Sequence, residues 1–440
     1  MDAMASKKQN RRQEGAASGS EPVIRLEVSI PEARRALEDF AENRLAALDA
    51  LSRGILAAVS DAFEQLLNLE MSIFLGRGDR EGNKRNGHVV REYSLKGVGT
   101  FQVRVPRDRQ GAFESAVIPA SERVDPRLRQ DLALLHLAGI SSRSLESIAK
   151  RVLGMDVSHA TILSSLQPLQ AAAKAWLTRP LEGPYWALYI DATNFHTRRR
   201  SGVELEPSMV VVGVDATHHR SILAVEPGSR EDVAAWRAAF TELKKRGLKA
   251  SDVRIGVMDG LPGLEQAFRE AFPKAQVARC WLHALKNSQA KAPASLRVPF
   301  KELADRVMYA SSEDAARKSF AKLKSGMGDD GQRAVDCLEK DLDALLTHYR
   351  FERRFWHALK TTNAVERVHR EIKRRTKTMD ALGEGNLGVV IAFTALRLEA
   401  GWRHQKVDSR AIYNVATKSK QFIEPQDATN EAMDALACTA

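Results

Sequence analysis

The sequence predicts a mixed α/β chain with one central sheet, and three observations carry that prediction. Between residues 184 and 292, strand-like and helix-like runs follow one another in the order β-β-β-α-β-α-β. From 293 to 350 the apolar pattern is helical throughout, with no strand signal. Upstream, residues 25–180 are helical apart from one short stretch of strict alternation. Three antiparallel strands joined to parallel ones, with helices on both faces, make a ribonuclease-H-like core. The expected fold is therefore such an α/β core over 184–292 and 351–405, an all-helical insertion at 293–350, and an N-terminal helical and β-hairpin region containing a helix-turn-helix.

The chain begins MDAMASKKQNRRQEGAASGSEP, charged and small residues without an apolar run. Residues 1–24 thus read as a disordered basic arm, and no secretory signal is expected. Leu45, Leu48, Leu51, Ile55, Val59 and Phe63 recur at helical spacing and predict N-terminal helices over 25–83. Phe101-Gln102-Val103-Arg104-Val105 alternates between Gly97, Gly99 and Pro106, which predicts a small β-hairpin unit over 84–124. Gly97-Val98-Gly99 is a turn rather than a phosphate loop, because no helix follows it. Over 125–180 the pattern is helical again. Runs at 142–153 and 158–166, parted by Gly154-Met155-Asp156 with Ser158 as N-cap, suit a helix-turn-helix that turns Ser158, His159 and Thr161 towards a DNA groove. Packed helices or a dimer contact is the rival reading.

Within the core, strands are expected at 185–191, 209–215, 221–226, 253–258 and 276–279. A helix through Val233, Trp236, Phe240 and Leu243 ends near Gly247, and another carries Leu264, Ala267, Phe268 and Phe272. After the helical stretch comes the most basic segment, 353–377, with nine Lys/Arg against two Glu. Residues 418–440 read as a flexible tail.

The 440 residues carry 67 basic and 56 acidic side chains, a net charge of +11. That excess concerns partners rather than fold, and a polyanion is the natural one. No apolar run is long enough to span a bilayer, so nucleic acid is expected before a membrane, in a cytoplasmic, nucleoid-associated setting. Cys280, Cys337 and Cys438 are scattered and odd in number, which fits a reducing compartment and no disulfide framework.

Two carboxylates follow apolar runs: Asp191 after Trp186-Ala187-Leu188-Tyr189-Ile190, and Asp259 after Ile255-Gly256-Val257-Met258. Neighbouring strands that stop at one sheet edge would bring both to one hard cation. A third acid is expected from a helix passing that edge. In Thr361-Thr362-Asn363-Ala364-Val365-Glu366-Arg367, Val365, Val368 and Ile372 form a docking stripe, while Glu366, Arg370, Lys373 and Lys377 follow on a neighbouring face. Structural readings compete: Asp191 merely ending a strand, Asp259-Gly260 as an ordinary turn, and Asn363 with Glu366 as a capping box. Taken singly, each acid has its structural rival; strand, strand and helix in that order favour a metal site. Cys280 and His283 have a spacing that zinc accepts, but no second pair completes four ligands, so packing or orienting beside the acids is the stronger reading.

Here the residues match a known family. YIDATNFHTRRR, VVGVDATHHR, VMDGLPGLEQAF, RCWLHALKN and TTNAVERVHREIKRRTK resemble, in order, the signatures of mutator-type bacterial insertion-sequence transposases. The upstream RNGHVVREYSLKGVGTFQVRVPRDRQGAF resembles that family's N-terminal region, and the likeness spans roughly 85 to 400. It implies that Asp191, Asp259 and Glu366 are a catalytic, metal-binding triad and that Cys280 and His283 are the family's Cys-x-x-His motif. The implied cofactor is Mg2+ or Mn2+, as two ions, and the implied partners are terminal inverted repeats and target DNA, bound by a homo-oligomer. Cleavage would free a 3′-hydroxyl that then attacks the target. Arg367, Arg370, Lys373, Arg374 and Lys377 would meet flanking phosphates. Trp356 would stack on an unpaired base, or else anchor the last helix as a core residue. The polar Asn194-Phe195-His196 departs from the family's more apolar expectation. A structure-specific nuclease and a catalytically silent DNA-binding regulator are the alternatives.

Overall fold

The computed structural model describes residues 30–78, 81–199, 202–227, 232–379, 382–403 and 405–407. The expected arm at 1–24 and tail at 418–440 lie outside them. The chain forms two compact units, residues 1–125 with 153–155, and the remainder.

In the first unit, α1 (Ile30–Glu42) precedes α2 (Arg44–Leu75), whose start is capped by Asn43: its side-chain oxygen accepts from the Ala46 amide at 3.2 Å. The antiparallel pair β1 (Arg85–Leu95) and β2 (Gly99–Asp108) turns at Gly97, where φ is +80°. Alternation decides which side packs. Phe101, Val103 and Val105 are buried with Tyr93 against Leu67 and Phe63 of α2, while Gln102 and Arg104 face out. In the first half of α2, Leu45, Leu48, Leu51 and Ile55 are all exposed.

The second unit begins with four helices: α3 (Pro126–Leu137), α4 (Ser142–Val152), α5 (His159–Ser164) and α6 (Gln167–Leu177). Ser158 does cap α5, accepting from the Thr161 amide at 3.2 Å, but α5 is six residues long and ends before the expected 166. Next come β3 (Tyr185–Arg199), β4 (Gly202–Asp215), β5 (Arg220–Pro227), α7 (Val233–Lys245), β6 (Ile255–Met258), α8 (Pro262–Ala271) and β7 (Gln276–Arg279). The sheet order is β5-β4-β3-β6-β7, with β3, β4 and β5 antiparallel and β3, β6 and β7 parallel. A two-residue β8 (Leu382–Gly383) adds to β3.

One expectation needs correction. Asp191 does not end its strand: β3 and β4 continue as a hairpin, pairing Asn194 with Pro207 and His196 with Leu205. Cross-strand pairing and the burial of Phe195 offset the polar character of that segment.

Strand periodicity sends alternate residues to opposite faces. Leu188 and Ile190 pack with Trp236, Phe240, Phe268 and Phe272 of α7 and α8. Ala187 and Tyr189 pack with α14 (Asn363–Thr376) and α15 (Glu384–Trp402) on the other side. Gly256 permits the close seating of α8, since a Cβ there would lie 2.4 Å from Phe268 Cζ. Between β7 and α14, the helices α9 (Trp281–Ala290), α10 (Arg297–Met308), α11 (Glu313–Glu339), α12 (Leu342–Leu346) and α13 (Trp356–Leu359) follow, the first four enclosing their own core around Trp281, Phe300 and Leu323. No helix among the described residues is long and apolar enough to cross a membrane.

Candidate active site

Register places the two aspartates. The parallel β3–β6 ladder ends at Ile190 opposite Met258, so Asp191 and Asp259 are the next residue on each strand. Asp191 remains within β3, its Oδ1 accepting from the Ala192 amide at 2.9 Å. Asp259 leaves β6 into a turn, where its Oδ1 accepts from the Leu261 amide at 3.3 Å. Arg279, level with Met258 on β7, holds that turn: Nη1 donates to the Asp259 carbonyl at 2.7 Å, while Nη2 meets Glu265 at 2.7 Å and Nε meets Asp341 at 3.4 Å.

Glu366 comes from the first turn of α14, which docks through the fully buried Val365, Val368 and Ile372. The expected capping box is absent. Asn363 is the first helical residue rather than the cap, and Thr362 holds the cap position without a side-chain cap bond. Thr362 instead donates its amide and hydroxyl to Cys280 Sγ, at 3.4 and 3.3 Å. Cys280 precedes α9, and its amide donates to the Met258 carbonyl at 2.8 Å, tying the start of α9 to the end of β6. The potential ligand atoms of Cys280, His283 and Glu366 lie within 4.8 Å of one another. His369, one turn beyond Glu366, puts Nδ1 3.8 Å from Asp191 Oδ2.

The charges explain one another. Burial, with the negative charges of Asp259 and Glu366 adding to it, pushes Asp191 up to about 7 against the pull of His283. Burial also raises Asp259, opposed by its Leu261 hydrogen bond, His283 and Arg279. His283 is raised to about 9, chiefly through the Cys280 sulfur and against its own burial, with Asp191 and Asp259 contributing. Burial would raise the Cys280 thiol, but contacts with His283 and Thr362 bring it below its ordinary value. An imidazolium therefore sits between a polarised sulfur and the two aspartates at neutral pH. His369 stays neutral, lowered to about 3 by burial and by the charges of Lys373 and His283. Among the described residues the three carboxylates do not themselves form a group with ligand atoms within 4.8 Å of one another; Glu366 does so with Cys280 and His283, and Asp191 has His369 as its side-chain neighbour.

Sequence reasoning missed His369, Arg279 and Thr362. Only His369 carried a signal, its spacing of one helical turn from Glu366. Of the expected DNA contacts, Arg367, Arg370, Lys373, Arg374 and Lys377 are exposed along α14, with Arg374 paired to Glu371. Ser158 is exposed, and its hydroxyl meets that of Thr161 at 3.0 Å; His159 and Thr161 are half-buried. Trp356 is half-buried, its indole donating to the Phe351 carbonyl at 2.8 Å and its ring edge-on to Tyr349 at 4.7 Å.

The chain resembles known proteins over most of its length. The family model described as "Transposase, Mutator family" matches residues 31–384. The chain is 30% identical over 341 residues to the transposase for insertion sequence element IS905 of Lactococcus lactis, covering 76% of this chain and 86% of that one. It is 31% identical over 330 residues to the transposase for ISRM5 of Rhizobium meliloti, covering 73% and 82%. Among solved structures, the Drosophila P element transposase strand transfer complex aligns at a TM-score of 0.36 and 10% identity, over 64% of this chain and 92% of that one.

Proposed function

The chain belongs to the Mutator family of transposases, and from that premise we propose that it cuts DNA at the ends of an insertion sequence and joins the freed 3′-hydroxyl to target DNA. Asp191, Asp259 and Glu366 form the reacting centre in this reading. The observation that supports it is the register of β3 on β6, which makes the two aspartates neighbours, with α14 brought alongside through His369, 3.8 Å from Asp191. Residues 184–292 and 351–405 then serve as a ribonuclease-H-like core, 293–350 as its helical insertion, and 125–180 as a helix-turn-helix region that binds DNA.

Burial holds Asp191 at about 7, with Asp259 and Glu366 adding to it and His283 opposing, and a bound divalent cation would relieve that cost. The carboxylate oxygens fit Mg2+ or Mn2+, as two ions. Such ions, when bound, supply Lewis-acid stabilisation of the attacking and leaving oxygens of an in-line displacement. Asp191, within β3, and Asp259, in the turn after β6, would hold the cations, and Glu366 from α14 would complete the set. Thr362, Cys280 and His283 lock the starts of α9 and α14 together, fixing the height of Glu366 over the sheet. His283 contributes positive charge where phosphate oxygens enter. The exposed Arg367, Arg370, Lys373 and Lys377 meet phosphates on either side of the cut. A homo-oligomer would hold two element ends together.

The test uses DNA carrying the sequences that flank the gene, with magnesium, and compares wild type with Glu366→Gln. Wild type should yield 3′-hydroxyl ends and joined products, while the variant binds the same DNA and does neither. Equal reaction by both would make Glu366 a docking residue only. Binding by both without reaction, manganese included, would favour a DNA-binding regulator.

A further inference from the structure

A second polar site lies on the α14 side of the sheet, outside the carboxylate cluster. Tyr189 helps to line it, two residues before Asp191 on the same strand face, hence about 7 Å away along β3. It is a cavity of about 260 Å³, lined also by Arg220, His357, Arg367, Trp402 and Lys406 and by no aspartate or glutamate. Arg220 opens β5, with its guanidinium 5.8 Å from the centre of the Trp402 ring. Burial works against its charge, as does Arg367, and no carboxylate pairs with it among the described residues. Trp402 is 1% exposed, and its indole N–H has no partner. Arg220, Arg367, Lys406 and that indole can only donate hydrogen bonds.

Buried donors are normally paired, and a sequestered cation without an acceptor is costly. Thr361, Asn363 and Gln405 line the same cavity and can accept as well as donate, but three cations with no acidic side chain among the lining residues call for an anion. We infer that this cavity is a phosphate-binding subsite, taking one phosphate of the DNA strand that enters the carboxylate cluster, near the bond that is cut. Choosing phosphate over another anion rests on the transposase reading. An internal phosphodiester and a terminal 5′-phosphate present the same oxygens, and the test separates them.

The full chain is titrated in EDTA with duplexes ending in either a 5′-phosphate or a 5′-hydroxyl, over a range of salt. Arg220→Gln should weaken binding several-fold and reduce the slope of log K against log salt by about one. Loss on both duplexes identifies an internal phosphodiester; loss on the phosphorylated duplex alone identifies the terminal group. Lys406→Gln, at an exposed position, should move the same way and guards against misfolding of the first variant. Unchanged affinity and slope for both variants overturn the proposal. A wild type that binds neither duplex counts against the transposase reading instead. The cavity is then tested with inorganic phosphate alone: a rise in Tm lost in Arg220→Gln supports it, and no rise or an equal rise overturns it.

Discussion

Replacing Asp191 with asparagine should stabilise the metal-free protein, and by an amount that depends on pH. Its carboxyl is buried, with a side-chain exposure of 9%. In the unfolded chain it ionises near 3.8, in the folded chain near 7. Each tenfold change in proton affinity is about 1.4 kcal/mol, so ionising it within the fold costs roughly 4 kcal/mol at most. The folded state holds the proton more tightly, so the cost is absent below about pH 4, grows as pH rises through that window, and is full above about pH 7. Asp191→Asn keeps the shape without the charge, and should gain about 2–4 kcal/mol over wild type at about pH 8 and nearly nothing at about pH 4. Urea unfolding followed by tryptophan fluorescence reads this directly, because all six tryptophans lie in the second unit, with Asp191. Magnesium at a hundredfold excess over its Kd should restore about 2.7 kcal/mol to wild type and little to the variant. A variant no more stable than wild type at the higher pH, or one whose gain ignores pH, would refute the electrostatic argument.

Three further outcomes are expected. Arg279→Met removes the bonds to the Asp259 carbonyl, Glu265 and Asp341; it should cost about 2–4 kcal/mol and weaken magnesium binding, and calorimetry with unchanged affinity would show that the turn holds without it. Gly256→Ala drives a Cβ against Phe268; a loss of about 1–3 kcal/mol is expected, and an unaltered unfolding midpoint would mean that α8 seats more loosely than described. Thr362→Val deletes one donor to the Cys280 sulfur; a stability loss of about 0.5–1.5 kcal/mol is expected, and an unchanged unfolding midpoint would show that this bond does not hold α14 in place.

Much of the sheet was legible because apolar strand runs and amphipathic helices differ in period. The face on which Asp191 lies was legible too, from its even spacing to Ala187 and Tyr189. Strand length was not: Ala192-Thr193-Asn194-Phe195-His196 reads as polar loop until β4 supplies its cross-strand partners. The start of α14 misled for a related reason. Asn363 is a fine local cap, but Thr362 takes that position while committed to a sulfur 82 residues away in sequence. In α2 the periodicity of Leu45, Leu48 and Leu51 marks a helix face without saying whether anything covers it, and within their unit they are exposed. Arg279 had no signal, since its role depends on where β7 lies in the sheet.

The long separation of the acids along the chain has a consequence during synthesis. Asp259 and Glu366 are 366 − 259 = 107 residues apart. At about 5–20 residues per second, roughly 5–20 s pass on the ribosome between them. In that interval the nascent chain already carries β3 and β6 with both aspartates, yet lacks α14 and the third carboxylate. A product released early, by a stop codon or a stalled ribosome, would keep the upstream helices and be unable to cut under the proposed chemistry. Under that proposed chemistry the order of elements would act as a timer, with scission waiting until the message is nearly read through.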